Sequence, residues 1–371
     1  LSFLTKTLPR LGKAFDKAIS GDTPLNARSL GFSTWDKSEL PRFLGEFFSR
    51  VLKPDGTLLP DPCAISVEVI RQILVPFYKY KLPYTDEQEQ QVIDRFKETE
   101  NDLSNLSAGF NELEADADHA KSGRRSRYKT DTRPEIVREA RILLSRLFAS
   151  FDPKDIYPRH GPGVVATKQK LQEKYEWTNV SAKITKQYPL DEYFFVSLSH
   201  VCDRVDALTS IMDTDLPAKV ILVPKDSRGP RLISCEPVDK QWIQQGLSRA
   251  IVRLVERHPL TKGKVNFTDQ TPNRMRAIDS SYDGRYSTLD LNEASDRVSA
   301  DLVRLLFPEH VYTYLEACRT SSTELPDGSV LELRKFAPMG SALCFPILAL
   351  TIWAILTVAA PDADTQESIL V

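Results

Sequence analysis

Apolar residues recur at helical spacing through the first half of the chain, then give way to alternation and short runs in the second. Leu40, Phe43, Leu44, Phe47, Phe48, Val51 and Leu52 follow the i, i+3, i+4 rhythm behind Ser38, a residue type that caps helix N-termini. That stripe ends at Pro54-Asp55-Gly56, a turn sequence. The spacing predicts a second helix over 64–74. A third is expected over 134–150, with Pro134 in its first turn and Ile136, Val137, Ala140, Leu143, Leu144, Leu147 and Phe148 facing inward. A further helix is expected over 242–255, from Ile243, Leu247, Ile251, Leu254 and Val255. Stripes of this width serve a core rather than a cofactor. In the second half, 220–224 (VILVP) reads as a strand and 232–234 (LIS) as its return. Alternation over 285–291 predicts another strand. A helix follows with Val298, Leu302, Leu305 and Leu306 on one face, stopping before Pro308.

Composition narrows the class. With 371 residues, 27% charged and 41% hydrophobic, the chain has the make-up of a soluble folded protein of one large or two ordinary domains. No internal repeat or long linker divides it, so interleaved subdomains are expected. The net charge of −2 rules out bulk electrostatic attraction to a polyanion, so any nucleic-acid contact must come from a local patch. One such patch is 121–129 (KSGRRSRYK), five cations in nine residues with Tyr128 among them, following the acidic 111–118 (NELEADAD). It reads either as a solvated loop or as a phosphate-contacting one through Arg124, Arg125, Arg127 and Lys129. The five cysteines form no CxxC pair and the five histidines no paired spacing, which fits a reducing cytoplasm and leaves a hard cation held by oxygen as the candidate metal. The chain begins with Leu1 and shows no signal peptide, so its start is expected to be cut.

The 24 residues 337–360 carry no charge and match a bilayer span in length. Pro338, Pro346, Ser341 and Cys344, with no basic flank or aromatic belt, argue instead for a Gly-Ser turn feeding a buried helix, and no membrane contact is expected. His160-Gly-Pro-Gly163 reads as turn chemistry.

Candidate chemistry gathers in three places. Within 287–296 (STLDLNEASD), Asp290 falls where a strand hands over to a helix, an edge at which α/β folds gather ligands and metals. The plainer alternative is a turn residue at Asp290 and an N-cap at Asp296. In the hairpin connection KDSRGPR, Lys225, Arg228 and Arg231 recur every third residue and can surround a triphosphate, or simply form a solvated basic turn. The third is the glycine loop of 337–346 (APMGSALCFP).

Basic hairpin, strand–Asp–helix, then glycine loop is the order of motifs F, A and B in template-directed polymerases. The blocks VPKDSRGPRLISCEP (223–237), NFTDQTPNR (266–274), STLDLNEASDRVS (287–299) and PMGSALCFP (338–346) resemble those of the replicase β subunit of single-stranded RNA bacteriophages, the levivirus type. The resemblance runs from about residue 150 onward; the first 150 residues match only in helical character. It implies an α+β, right-hand polymerase fold with a helix-rich N-terminal half: helical N-terminal and fingers region over 1–150, fingers with the basic hairpin over 151–280, and palm over 281–371. It implies RNA-directed RNA synthesis in the bacterial host cytoplasm, on an RNA template with ribonucleoside triphosphates. It further implies a two-metal Mg²⁺ site held in part by Asp290 and the Leu291 carbonyl. Asp296 would accept the incoming ribose 2′-hydroxyl with Ser341 nearby, and Lys225, Arg228 and Arg231 would grip the triphosphate. Ser341 stands where many polymerases carry asparagine. The family's partners are host elongation factors Tu and Ts and a small-subunit ribosomal protein.

The YGDD turn that supplies the remaining metal carboxylates in this family does not occur by Val371, and 367–371 (ESILV) resembles the strand leading into it. The expectation is therefore a fragment with an incomplete palm and no thumb, inactive by itself. The rival readings are a reverse transcriptase, disfavoured by Asp296, a non-catalytic RNA-binding or assembly protein, and a membrane-anchored protein.

Overall fold

The structure is a computed structural model that describes residues 2–79, 83–120, 132–195, 199, 202, 211–226, 229–360 and 362–371. The chain divides into two compact units. The first comprises Leu1–Ile93 and Leu222–Arg231, the second Asp94–Ile221 and Leu232–Val371.

In the first unit, helix α1 (Leu8–Ile19) buries Leu8, Leu11, Phe15 and Ala18 on one side, as its apolar spacing requires. Opposite it lie Phe48, Val51, Leu52, Ile70 and Leu74, the last two from α2 (Ala64–Leu74). Phe15 and Phe48 meet edge to face, ring centroids 5.2 Å apart. The predicted stripe over 40–52 buries as expected, but its helix is only one turn, Gly45–Phe48. Leu44 takes a left-handed φ of 58°, and Pro41 and Leu52 bridge to Thr34 and Leu58, so the flanking backbone bonds to neighbouring segments instead of to itself. Gly45 admits no side chain because a Cβ there would sit 1.8 Å from the Trp35 ring.

The long helix α3 (Asp86–Ala120) begins with Asp86, Glu87 and Glu89, acidic residues that suit a helix N-terminus. It absorbs the acidic stretch 111–118. The basic stretch 121–129, with Arg124, Arg125, Arg127 and Lys129, lies outside the described residues.

The second unit is built around α4 (Arg133–Leu147), α5 (Val238–Arg257) and α9 (Cys344–Ala359). Leu144, Leu147, Phe148, Ile243, Leu247, Ile251, Leu350 and Trp353 are among its fully buried side chains, each stabilising the unit by roughly 1.5–3 kcal/mol. Helix α5 is longer than the predicted 242–255. Between α5 and α9 the chain forms α6 (Thr271–Asp283), α7 (Ala300–Leu306) and α8 (Glu309–Ala317).

Strands β1 (Ala218–Asp226) and β2 (Gly229–Cys235) appear where the sequence predicted them. With β3 (Ser322–Glu324) and β4 (Val330–Glu332) they form a sheet in the order β2-β1-β3-β4. Within the second unit β1 runs parallel to β3, Ala218 opposite Thr323, and β3 is antiparallel to β4. The expected strand over 285–291 is instead an irregular, largely exposed segment, with Leu289 75% and Leu291 50% accessible. Its alternation is genuine, but among the described residues no strand pairs with it, and an unpaired strand has no ladder to hold it. Among the described residues no helix is long and apolar enough to cross a membrane; the uncharged run of 337–360 becomes a turn followed by α9.

Candidate active site

Short backbone pairing draws the turn after Asp290 and the loop before α9 together. Ser299 bridges antiparallel to Lys335, Ala300 N donates to Arg334 O at 2.8 Å, and Phe336 N to Val298 O at 2.7 Å. Asp296 lies in a 3₁₀ turn, Ala294–Arg297, rather than at a helix N-cap. The cap of α7 is Ser299, whose hydroxyl accepts from Leu302 N at 3.0 Å.

This pairing delivers Lys335 to the centre of the site. Its side chain is fully buried, with Nζ 2.9 Å from Asp296 Oδ1 and 3.1 Å from Glu100 Oε1. The ammonium also lies 3.6 Å from the centroid of the Phe96 ring. Phe96 and Glu100 are one turn apart on α3 and so share a face. Glu100 Oε2 accepts the Arg334 backbone N–H as well, so one buried carboxylate fixes both backbone and side chain of this loop. Further clamps run from α3 to the same turn: Arg95 to Glu293 at 2.6 Å and Asp102 to Arg297 at 3.2 Å. Glu293 holds a left-handed φ of 52°, a strained conformation these pairs help maintain.

The glycine loop approaches from the other side. Gly340 has φ +127° and its missing Cβ would stand 2.0 Å from Ser234 O, so only glycine fits against the end of β2. Ser341 is buried, and its Oγ donates to Gln244 Oε1 of α5 at 3.0 Å and accepts from Leu343 N at 3.3 Å. Gln244 Nε2 in turn donates to Cys318 O at 2.8 Å. Glu236 completes this buried network with a bond from the Thr320 hydroxyl; burial pushes its carboxyl up while Thr320 and Lys240 pull it down. Cys344, three residues beyond Ser341, has its thiol pushed up to about 12, first by burial and next by the negative charge of Asp296. Asp296 and the first turn of α9 are therefore neighbours.

Of the residues expected to carry chemistry, the second unit brings together Asp296 and the Ser341 loop. Asp290 and Leu291 lie six and five residues before Asp296 in the exposed segment, the Asp290 carboxylate without a hydrogen bond or ion pair among the described residues. No group of three or more His, Cys, Asp or Glu able to hold a metal occurs among the described residues. Lys225 and Arg231 are exposed near the hairpin tip in the first unit, where Tyr84 Oη accepts from Lys225 N at 2.9 Å and donates to Asp226 O at 3.1 Å. Arg228 lies outside the described residues. Lys335, Glu100, Phe96 and Gln244 escaped the sequence reading. A lysine five residues ahead of the glycine, in an otherwise apolar KFAP context, was the one available signal for Lys335. Nothing local marks a glutamate on a highly charged helix.

A family model described as "RNA replicase, beta-chain" matches residues 104–361, about seven-tenths of the chain and every site residue just described except Tyr84, Arg95, Phe96, Glu100 and Asp102. The chain belongs to the RNA replicase β-chain family. Among curated relatives it is 34% identical over 137 residues to the "RNA-directed RNA polymerase subunit beta" of Enterobacteria phage SP, 37% of this chain and 23% of that protein. It is 33% identical over 137 residues to the same subunit of Qbeta virus strain MX1, with 37% and 22% covered. The "RNA-directed RNA polymerase beta chain" of Enterobacteria phage GA is 35% identical over 133 residues, with 36% and 24% covered. The match thus spans about a quarter of the length of these replicase relatives.

Proposed function

We propose that this replicase-family chain carries the nucleotide-selecting part of an RNA-directed RNA polymerase that copies a phage RNA genome. The observation that carries the reading is the juxtaposition of Asp296, held by buried Lys335, with the glycine-forced loop of Ser341. A carboxylate fixed on one side by a buried ammonium, its second oxygen without a bond among the described residues, can accept a hydrogen bond from a hydroxyl, the arrangement a ribose 2′-OH reader needs. A deoxyribose would leave that oxygen without its donor, and a site built to bond a hydroxyl disfavours the analogue that lacks it. Ser341, committed to Gln244, serves this reading as the hinge of the loop, a supporting role rather than a second ribose contact. Lys225, Arg228 and Arg231 are the proposed triphosphate grip, and Arg124, Arg125, Arg127 and Lys129 the proposed backbone contacts to RNA. The division into fingers and palm, with boundaries at 150 and 280, belongs to this proposal, as do host elongation factors Tu and Ts and a ribosomal protein as partners.

The proposed reaction class is Mg²⁺-dependent nucleotidyl transfer, in which the ions would activate the attacking hydroxyl and steady the departing pyrophosphate. Asp290, exposed and unpaired among the described residues, suits one oxygen ligand. Hard divalent ions need several such ligands, and the described residues bring no three candidate groups together. Asp290 alone among the described residues does not complete such a site, and the proposal carries with it the expectation that residues 1–371 alone do not incorporate nucleotides.

The test is template-directed synthesis by the longest polypeptide its reading frame encodes, with ribo- and deoxynucleotides compared. Asp296→Ala should erode the preference for ribonucleotides by orders of magnitude while RNA binding persists. A wild-type enzyme that prefers deoxynucleotides would favour a reverse transcriptase, and RNA binding without any synthesis would favour an assembly protein.

A further inference from the structure

A second surface of the same unit gathers positive charge with no acidic counterpart. Arg249, Arg253 and Arg257 recur every fourth residue along one face of α5, about 6 Å apart per step. The segment 156–163 is strapped across that face. Pro158 packs so closely over Gly246 that a Cβ there would meet it at 3.1 Å, and Gly161 lies against Gln245 in the same way. Arg249 donates to the Tyr157 carbonyl and, through Nε, to Gln245 O at 3.2 Å. Beneath the strap, the buried Lys174 ammonium donates to Gly161 O at 2.9 Å and Gly163 O at 2.6 Å.

The strap brings a fourth cation, Arg159, beside the row. Arg249 has its basicity lowered by partial burial and then by Arg159 and Arg253, with no carboxylate opposing them. None of Arg159, Arg249, Arg253 and Arg257 forms an ion pair among the described residues. The helix dipole accounts for Arg257 in the last turn, but not for Arg159 or Arg249. Several other arginines of this chain are held in ion pairs, among them Arg95, Arg297 and Arg304, and its overall charge is slightly negative. Arg159, Arg249 and Arg253, three guanidinium groups without an ion-pair partner among the described residues, therefore mark a surface shaped for an anion.

The aromatic residues specify which anion. Tyr157 is 74% and Tyr175 54% exposed, and both are held by the strap and its support. Tyr175 meets His160 edge-on at 4.8 Å, and His160 in turn packs on Trp242 at 4.5 Å, so the Tyr175 ring stands on a rigid base. Exposed, pre-ordered aromatic faces beside a row of arginines offer base stacking and phosphate contacts together, the combination that single-stranded nucleic acid uses.

We propose that the face formed by Tyr157, Arg159, Tyr175, Arg249 and Arg253 is a binding track for single-stranded RNA, separate from the Asp290–Asp296 site. The choice of RNA as the polyanion rests on the polymerase reading; the track itself does not need the chemistry to work.

The experiment measures binding of a fluorescein-labelled single-stranded polyuridine oligonucleotide to residues 1–371 by anisotropy across a salt series. Arg159→Gln with Arg253→Gln removes two exposed cations and leaves the Arg249 bonds intact. Loss of two phosphate contacts should lower the slope of log Kd against log salt by about 1.4 and weaken binding roughly 25-fold at 0.1 M salt. A control pair of equal charge change on α1, Lys13→Gln with Lys17→Gln, should shift neither. Hydroxyl-radical footprinting of the unaltered protein should show RNA protecting 157–163 and 249–257. An unchanged slope in the Arg159/Arg253 variant, an equal loss in the α1 control, or no protection of those segments would overturn the proposal. Asp290→Ala should leave all of these readouts as in wild type, so the track and the polymerase reading fail independently.

Discussion

Replacing Lys335 by methionine tests how the site is held together. The substitution keeps the length and most of the volume of the side chain while deleting its ammonium. Lys335 is completely buried and the Glu100 side chain is 4% exposed, so the variant leaves a carboxylate in the interior with its cation gone. Asp296, at 26% exposure, can turn to water and contributes less. Breaking a buried pair from one side costs about 3–5 kcal/mol, a figure that here includes the contact with Phe96. For a unit of this size that corresponds to a fall in Tm of roughly 6–20 °C. Urea denaturation followed by tryptophan fluorescence reports on the right unit, since Trp177, Trp242 and Trp353 all lie in it. The companion variant Glu100→Gln in the Lys335→Met background removes the stranded charge and should recover most of the loss, because replacing both partners of a buried pair is often nearly neutral. A single-variant loss below about 1 kcal/mol, or no recovery in the double variant, would refute the view that Glu100 and Lys335 form one buried unit.

Gly340→Ala should destabilise the second unit by more than about 1 kcal/mol and release the loop from β2, since both the positive φ and Ser234 O exclude a Cβ; a wild-type melting curve would count against the forced turn. His160, depressed to about 4 chiefly by burial and then by Lys174, is neutral when folded. The unfolded chain therefore binds the extra proton between about pH 6.5 and 4, so stability falls by about 1–3 kcal/mol as pH drops through that window and levels off below it. His160→Phe should flatten that part of the stability–pH profile, and a profile unchanged by the substitution would remove His160 as its source.

Elements whose pattern closes on themselves were legible in the sequence. Helices α2, α4 and α5 and strands β1 and β2 follow from apolar spacing because each buries its own face. Patterns that depend on a partner misled. The 40–52 stripe buries without forming a long helix, since Leu44 and Pro41 divert the backbone. The alternation of 285–291 forms no strand, because nothing described pairs with it. Asp296 and Ser341 stood out as sequence, in blocks shared with the replicase family. Their supports did not: Glu100 and Lys335 are separated by 234 intervening positions, and no local spacing announces an ion pair between them. The ammonium of Lys174 beneath the 156–163 strap was equally invisible, the HGPG sequence showing only its turn.

The central claim, that Asp290 and Asp296 belong to a polymerase site, is tested most directly by template-directed RNA synthesis with Asp290→Ala in the longest polypeptide the reading frame encodes. Ribonucleotide incorporation should be abolished while RNA binding remains at the wild-type level. Incorporation that survives the loss of the Asp290 carboxylate would contradict it.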